Sequence, residues 1–124
     1  MAALGAYLQV LRERQGMTRE SVARASRVTP TSIFRIERGE QTPSIDVMAR
    51  IVQHLRADWR DVEALLDDEA TEEDARTLAY RQFARLLDGL PDGERDALTR
   101  AQAQDAADRR ALARRLRRLA EDLD

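Results

Sequence analysis

Residues 12–38 hold seven arginines, at positions 12, 14, 19, 24, 27, 35 and 38, against three acids, Glu13, Glu20 and Glu37. That local net of +4 sits in a chain of 124 residues whose overall charge is −2. A guanidinium is a planar fork of donors that matches a phosphate or the edge of a guanine. The chemistry this cluster can do is therefore recognition of an anion or a base edge. Every basic side chain is Arg; Lys is absent. Other chemistries lack their residues. There is no cysteine, which excludes disulfides, zinc–thiolate sites and thiol nucleophiles. His54 is the single histidine, so no metal site can rest on histidine ligands, and it reads as a helix-surface residue. Six acids crowd residues 67–74, but they are consecutive or nearly so, which suits a linker or a helix start rather than a metal cage. No nucleophile–base pair, metal set or phosphate loop is present. The chain is expected not to be an enzyme and to need no cofactor.

The elements that must carry the arginines read as helices throughout. Leu4, Tyr7, Leu8 and Leu11 repeat at helical spacing, and this first helix ends near Gly16. Thr18 can cap a short second helix carrying Val22 and Ala23. Thr29-Pro30 is a strong start signal, an N-cap hydroxyl followed by Pro where its missing N–H costs nothing. Ile33 and Ile36 give the third helix its buried stripe, and Gly39 ends it. Ser44 can cap a fourth helix with Val47, Met48, Ile51, Val52 and Leu55 on one face. Asp58 can cap a fifth with Trp59, Val62, Leu65 and Leu66. Asp67 to Ala70 reads as an acidic linker. Thr71 with Asp74 resembles a capping box opening a sixth helix, which places Ala79, Phe83, Leu86, Leu87 and Leu90 on one side. Leu90-Pro91-Asp92-Gly93 reads as a turn, and a last helix runs from about Glu94 to Leu123.

Two short helices joined by a tight turn, the second of them basic, match a helix-turn-helix. The segments that carry a closer likeness are Leu11 to Thr18, Val22-Ala23, Val28 to Ile33, Arg35-Ile36-Glu37-Arg38-Gly39 and Thr42-Pro43-Ser44. With these, residues 4–66 resemble the Cro/C1-type repressors, the XRE family of transcriptional regulators. The resemblance implies a five-helix, lambda-repressor-like fold that binds double-stranded DNA. It implies that Pro30, Thr31 and Arg35 fall where base edges are read, flanked by Ser32 and Phe34. It implies that Arg19, Arg38, Gln41 and Thr42 fall where phosphates are gripped, and that Arg12 and Glu37 form a partly buried ion pair between helices one and three. Three features depart from the family pattern. Arg27 and Arg56 stand where glycines are usual, and Pro30 and Thr31 are poor hydrogen-bond readers, which leaves Arg35 to dominate direct readout. Phe34 is either a thymine-methyl contact or an exposed ring covered by the appended segment.

Nothing comparable covers residues 67–124. Leu112, Leu116, Leu119 and Leu123 follow a heptad spacing, but the register runs backward through Arg109, Asp105 and Gln102, against a long coiled coil. Arg109 to Arg118 contains six arginines and no acid. It reads as a solvated face, a second nucleic-acid contact, or a partner for acids such as Asp67 to Asp74. The expectation is an all-α protein divided into a DNA-binding domain at 1–66, a linker at 67–70 and a self-association segment at 71–124. Phe83, Leu86, Leu87, Leu90, Leu112, Leu116, Leu119 and Leu123 are its expected dimer contacts. The expected role is a cytoplasmic, homodimeric repressor on an inverted-repeat operator. The alternative is an antitoxin or adaptor whose C-terminal half binds a partner protein.

Overall fold

Five short polar side chains start five of the helices. The Thr18 hydroxyl accepts from Ser21 N at 3.1 Å, Thr29 from Ser32 N at 3.1 Å and Ser44 from Val47 N at 3.3 Å. The Asp58 carboxylate accepts from Arg60 N at 2.8 Å, and Thr71 and Asp74 form a reciprocal capping box. Each bond satisfies an N–H that the helix itself leaves unpaired. The computed structural model describes residues 1–122, less the side chains of Leu98, Ala101, Gln102, Asp105 and Asp122. Its elements are α1 (Ala2–Arg14), α2 (Arg19–Ser26), α3 (Pro30–Glu37), α4 (Ile45–Leu55), α5 (Trp59–Leu65), α6 (Glu72–Asp88) and α7 (Asp92–Asp122), with no strand among the described residues. The protein is all-α.

Four of these helices close in the same left-handed way. Gly16 and Gly39 have φ of +70° and +75°, and Arg27 and Arg56 have φ of +59° and +54°. In each case the next N–H reaches the carbonyl five residues back: Met17 to Arg12, Val28 to Ala23, Glu40 to Arg35 and Ala57 to Val52, at 2.9–3.0 Å. Arg27 and Arg56, where the resemblance leads one to expect glycine, therefore adopt the left-handed conformation, which costs an L-residue roughly 1–2 kcal/mol.

The contacts divide the chain into Met1–Gly89 and Leu90–Asp124. In the first unit the core is Leu4, Tyr7, Leu8 and Leu11 of α1, Val22 and Ala23 of α2, and Ile33 and Ile36 of α3. Met48, Ile51, Val52 and Leu55 of α4 and Val62 and Leu65 of α5 complete it, with Ala75, Ala79 and Phe83 of α6. Trp59 and Leu66, expected on the buried face of α5, are instead 48% and 54% exposed. His54, expected on the surface of α4, is half-buried, with Nε2 buried and making no hydrogen bond among the described residues.

The expected boundary after residue 66 is not where the contacts divide. Helix α6 packs along α1, more extensively than any other pair of helices meets. Ala75 and Ala79 are fully buried, and their small side chains let the two backbones approach. Arg14 of α1 lies over the Tyr80 ring, 4.7 Å from its centroid. Gln82 donates to the Arg56 carbonyl at 2.8 Å, which ties α6 to the end of α4. The acidic stretch is a hydrogen-bonded turn rather than an open tether, with Asp67 accepting from the N–H groups of Glu69 and Ala70. Phe83, expected at a dimer seam, is only 7% exposed.

In the second unit α7 is a single helix that begins at Asp92, with Arg95 N bonded to the Pro91 carbonyl. Gly93 lies inside its first turn rather than in the preceding loop. Leu112, Leu116 and Leu119 are 57%, 58% and 60% exposed. Leu123 lies outside the described residues.

Candidate nucleic-acid interface

The site is built on the C-terminal turn of α3. Glu37 is buried there, its side chain 3% exposed, and two arginines from other elements converge on it. Arg12 of α1 donates from Nε to Oε2 at 2.7 Å and from Nη2 to Oε1 at 3.3 Å. Its remaining terminal nitrogen donates to the Met17 carbonyl at 3.0 Å. Arg19, the first residue of α2, donates from Nε to Oε1 at 2.8 Å. One carboxylate thus ties α1, α2 and α3 together, and it carries one negative charge against two positive ones. The buried pair is hydrogen-bonded on both sides, the condition under which a buried ion pair is tolerated.

Close backbone approach supports this junction. A Cβ on Gly5 of α1 would lie on the carbonyl oxygens of Ile36 and Glu37. Only a hydrogen in that position lets α1 pass so near the end of α3. Tyr7, one turn-face away on α1, donates to Asp61 Oδ2 at 2.9 Å and accepts from Asp58 N at 3.1 Å, joining α1 to the start of α5. Burial and the neighbouring carboxylates push the Tyr7 phenol well above its ordinary pKa. Gln15 donates to the carbonyls of Leu11 and Leu55 and fastens the end of α1 to the end of α4.

The outer surface of α3 is exposed. Pro30, Thr31 and Arg35 are all exposed. Thr31 and Arg35 are four residues apart and so share a face. Arg35 makes no side-chain hydrogen bond or ion pair among the described residues. Arg38 is exposed and pairs loosely with Glu40 at 3.1 Å, an interaction of little worth in water. Gln41 is half-buried and Thr42 exposed in the loop that follows. Arg19 uses Nε on Glu37, but its side chain remains 37% exposed. The Phe34 ring is 38% exposed, and the guanidiniums of Arg19 and Arg38 lie over it at 5.1 and 5.4 Å from the centroid.

Tyr7, Gly5 and Gln15 escaped sequence reasoning as site-building residues. Tyr7 sits in an apolar stripe at helical spacing, which gives no sign of its hydroxyl's partners. Gly5 offered one signal, a glycine inside a helix where alanine would be favoured by about 1 kcal/mol.

An exposed helix packed against a second, capped helix across a tight turn, within the unit built from α1 to α6, defines a helix-turn-helix protein. Comparison agrees: the helix-turn-helix domain family matches residues 3–66, more than half of the chain, and the chain belongs to that family. This class is that of DNA-binding regulators. A curated relative, an uncharacterized 15.4 kDa protein in the HgiDIIM 5' region of Herpetosiphon aurantiacus, is 36% identical over 86 residues. The aligned stretch covers 68% of this chain and 62% of that protein, so the chain spans less than two thirds of its relative. No solved structure matches. No described helix is long and apolar enough to cross a membrane.

Proposed function

We propose that the protein is a sequence-specific transcriptional regulator that binds an inverted-repeat operator as a homodimer and represses the promoter it covers. The observation that supports this most is the unpaired Arg35 on the open face of α3, two residues before the Glu37 that locks the end of that helix. In this reading α3 enters the major groove, Arg35 pairs with guanine O6 and N7, and Pro30 and Thr31 supply shape and one hydroxyl. Arg19, Arg38, Gln41 and Thr42 contact phosphates, which set register and general affinity.

Dimerisation is assigned to the exposed leucines 112, 116 and 119 of α7, with Leu86, Leu87 and Leu90 half-buried and able to contribute. Two copies would hold two recognition helices about one DNA turn apart, with half-sites centred about 10–10.5 bp from each other. Selecting bound sites from random DNA with the intact chain tests the reading. An inverted repeat with guanine at a fixed position in each half supports it, and recovery of no common sequence refutes it. The same leucines would serve an antitoxin or adaptor, so sedimentation of the pure chain discriminates. A monomer that associates only with a co-purifying protein favours the adaptor.

A further inference from the structure

Phe34 is a large apolar side chain left on the surface of the helix that faces DNA. Its neighbours explain its place better than the core does. Arg19 comes from the start of α2 and Arg38 from the residue after α3, and both guanidiniums share this one ring. Arg19 is also held from behind by Glu37 at 2.8 Å, so its head group is fixed at two points. Arg38 has the ring on one hand and the exposed Glu40 carboxylate on the other.

A free arginine has many rotamers, and fixing one on a phosphate normally costs entropy at the moment of binding. Stacking on a ring restrains the guanidinium in its own plane while leaving its edge donors unused. We propose that Phe34 is a positioning residue that aligns Arg19 and Arg38 as one preformed grip on the DNA backbone. The ring makes no base contact in this account. The Glu40 pair opens when a phosphate replaces its carboxylate. The inference rests on the DNA-binding reading and adds a residue that acts through the two arginines rather than on DNA directly.

Anisotropy titrations of the intact chain with a labelled random-sequence duplex of about three helical turns, over a range of salt, test it. Phe34→Leu is expected to weaken binding about five- to ten-fold, in line with the loss of two cation–ring contacts, with no change in melting temperature. Phe34→Trp is expected to bind as the unaltered chain does. In an Arg19→Ala, Arg38→Ala background, Phe34→Leu is expected to have no further effect, the signature of residues that act as a unit. Equal losses in both backgrounds would point to a direct contact with a base and overturn the proposal. So would unchanged affinity of Phe34→Leu, or failure of Phe34→Trp to restore binding. If the unaltered chain does not bind the duplex at all, the DNA-binding reading falls and this inference with it; if it binds and Phe34→Leu is silent, this inference alone falls.

Discussion

Arg12 Nε lies 2.7 Å from Glu37 Oε2, and both side chains are nearly out of solvent, 10% and 3% exposed. The pair joins α1 to the end of α3. Arg19 adds a second cation on the same carboxylate, so the loss of Arg12 leaves Glu37 under-compensated but not alone. Arg12→Met is expected to cost about 3 kcal/mol, the lower part of the range for breaking a buried pair. Urea unfolding measures it. A loss below about 1 kcal/mol would show that the pair behaves as a surface bridge.

In the proposed reading, Arg35 and Arg38 make two different kinds of DNA contact. Arg35→Ala is expected to lower discrimination at one operator position by about 1–3 kcal/mol. Arg38→Ala is expected to weaken all sequences alike and to reduce the salt slope by about one. Competition binding with single-base operator variants checks both. Wild-type ordering and ratios from Arg35→Ala would remove it from the base-reading face.

Tyr7 makes stability depend on alkaline pH. Its phenol is buried neutral between Asp61 and Asp58 N, so its folded pKa is raised above the ordinary value of about 10. The stabilisation is complete below about pH 10 and is lost as pH rises through the higher folded value. Tyr7→Phe leaves the buried Asp61 carboxylate and the Asp58 N–H without this partner, at a cost of about 1–3 kcal/mol near neutrality. The difference between the two proteins should narrow above about pH 10 in chemical unfolding. A gap that stays constant into strong alkali would show that the hydroxyl does not stay neutral.

Arg56 closes α4 in a left-handed conformation that glycine adopts without strain. Arg56→Gly keeps the carbonyl that accepts from Gln82. Relief of about 1–2 kcal/mol of backbone strain exceeds the extra chain entropy of glycine, about 0.5–1 kcal/mol. A gain of up to about 1 kcal/mol is expected by thermal or urea unfolding, and a loss would show that the side chain contributes packing.

Truncation tests the proposed division between the DNA-binding frame and an association segment. Residues 1–89 are expected to fold as a monomer that binds DNA weakly, because two half-sites are no longer joined at high effective concentration. Truncation after Asp68 also removes Ala75, Ala79 and Phe83 and bares the α1 face that α6 covers. It should be less stable than 1–89 by about 3–5 kcal/mol, from the apolar area lost. Ultracentrifugation and urea unfolding of both pieces check this. Dimerisation of 1–89 as strong as that of the intact chain would take the leucines of α7 out of the interface.

The sequence by itself determined where α2 to α6 begin and that residues 3–66 form a helix-turn-helix domain. Thr18, Thr29, Ser44, Asp58 and Thr71 announced their caps because capping is local, a bond from a side chain to an N–H two or three residues on. The apolar stripes of α1 and α4 were legible because helical periodicity needs no knowledge of neighbours. Tertiary structure decided the rest. That α6 belongs with α1 rests on Ala75 and Ala79 meeting a helix some seventy residues earlier, and small residues do not advertise their partners. Trp59 looked like core and is half exposed because the space beneath α5 is filled by Val62 and Leu65. The sharing of Glu37 by two arginines, and of one ring by Arg19 and Arg38, depends on the three-dimensional convergence of α1, α2 and α3. A charge or a ring acquires its role from what surrounds it, and those surroundings are set by packing between segments distant along the chain.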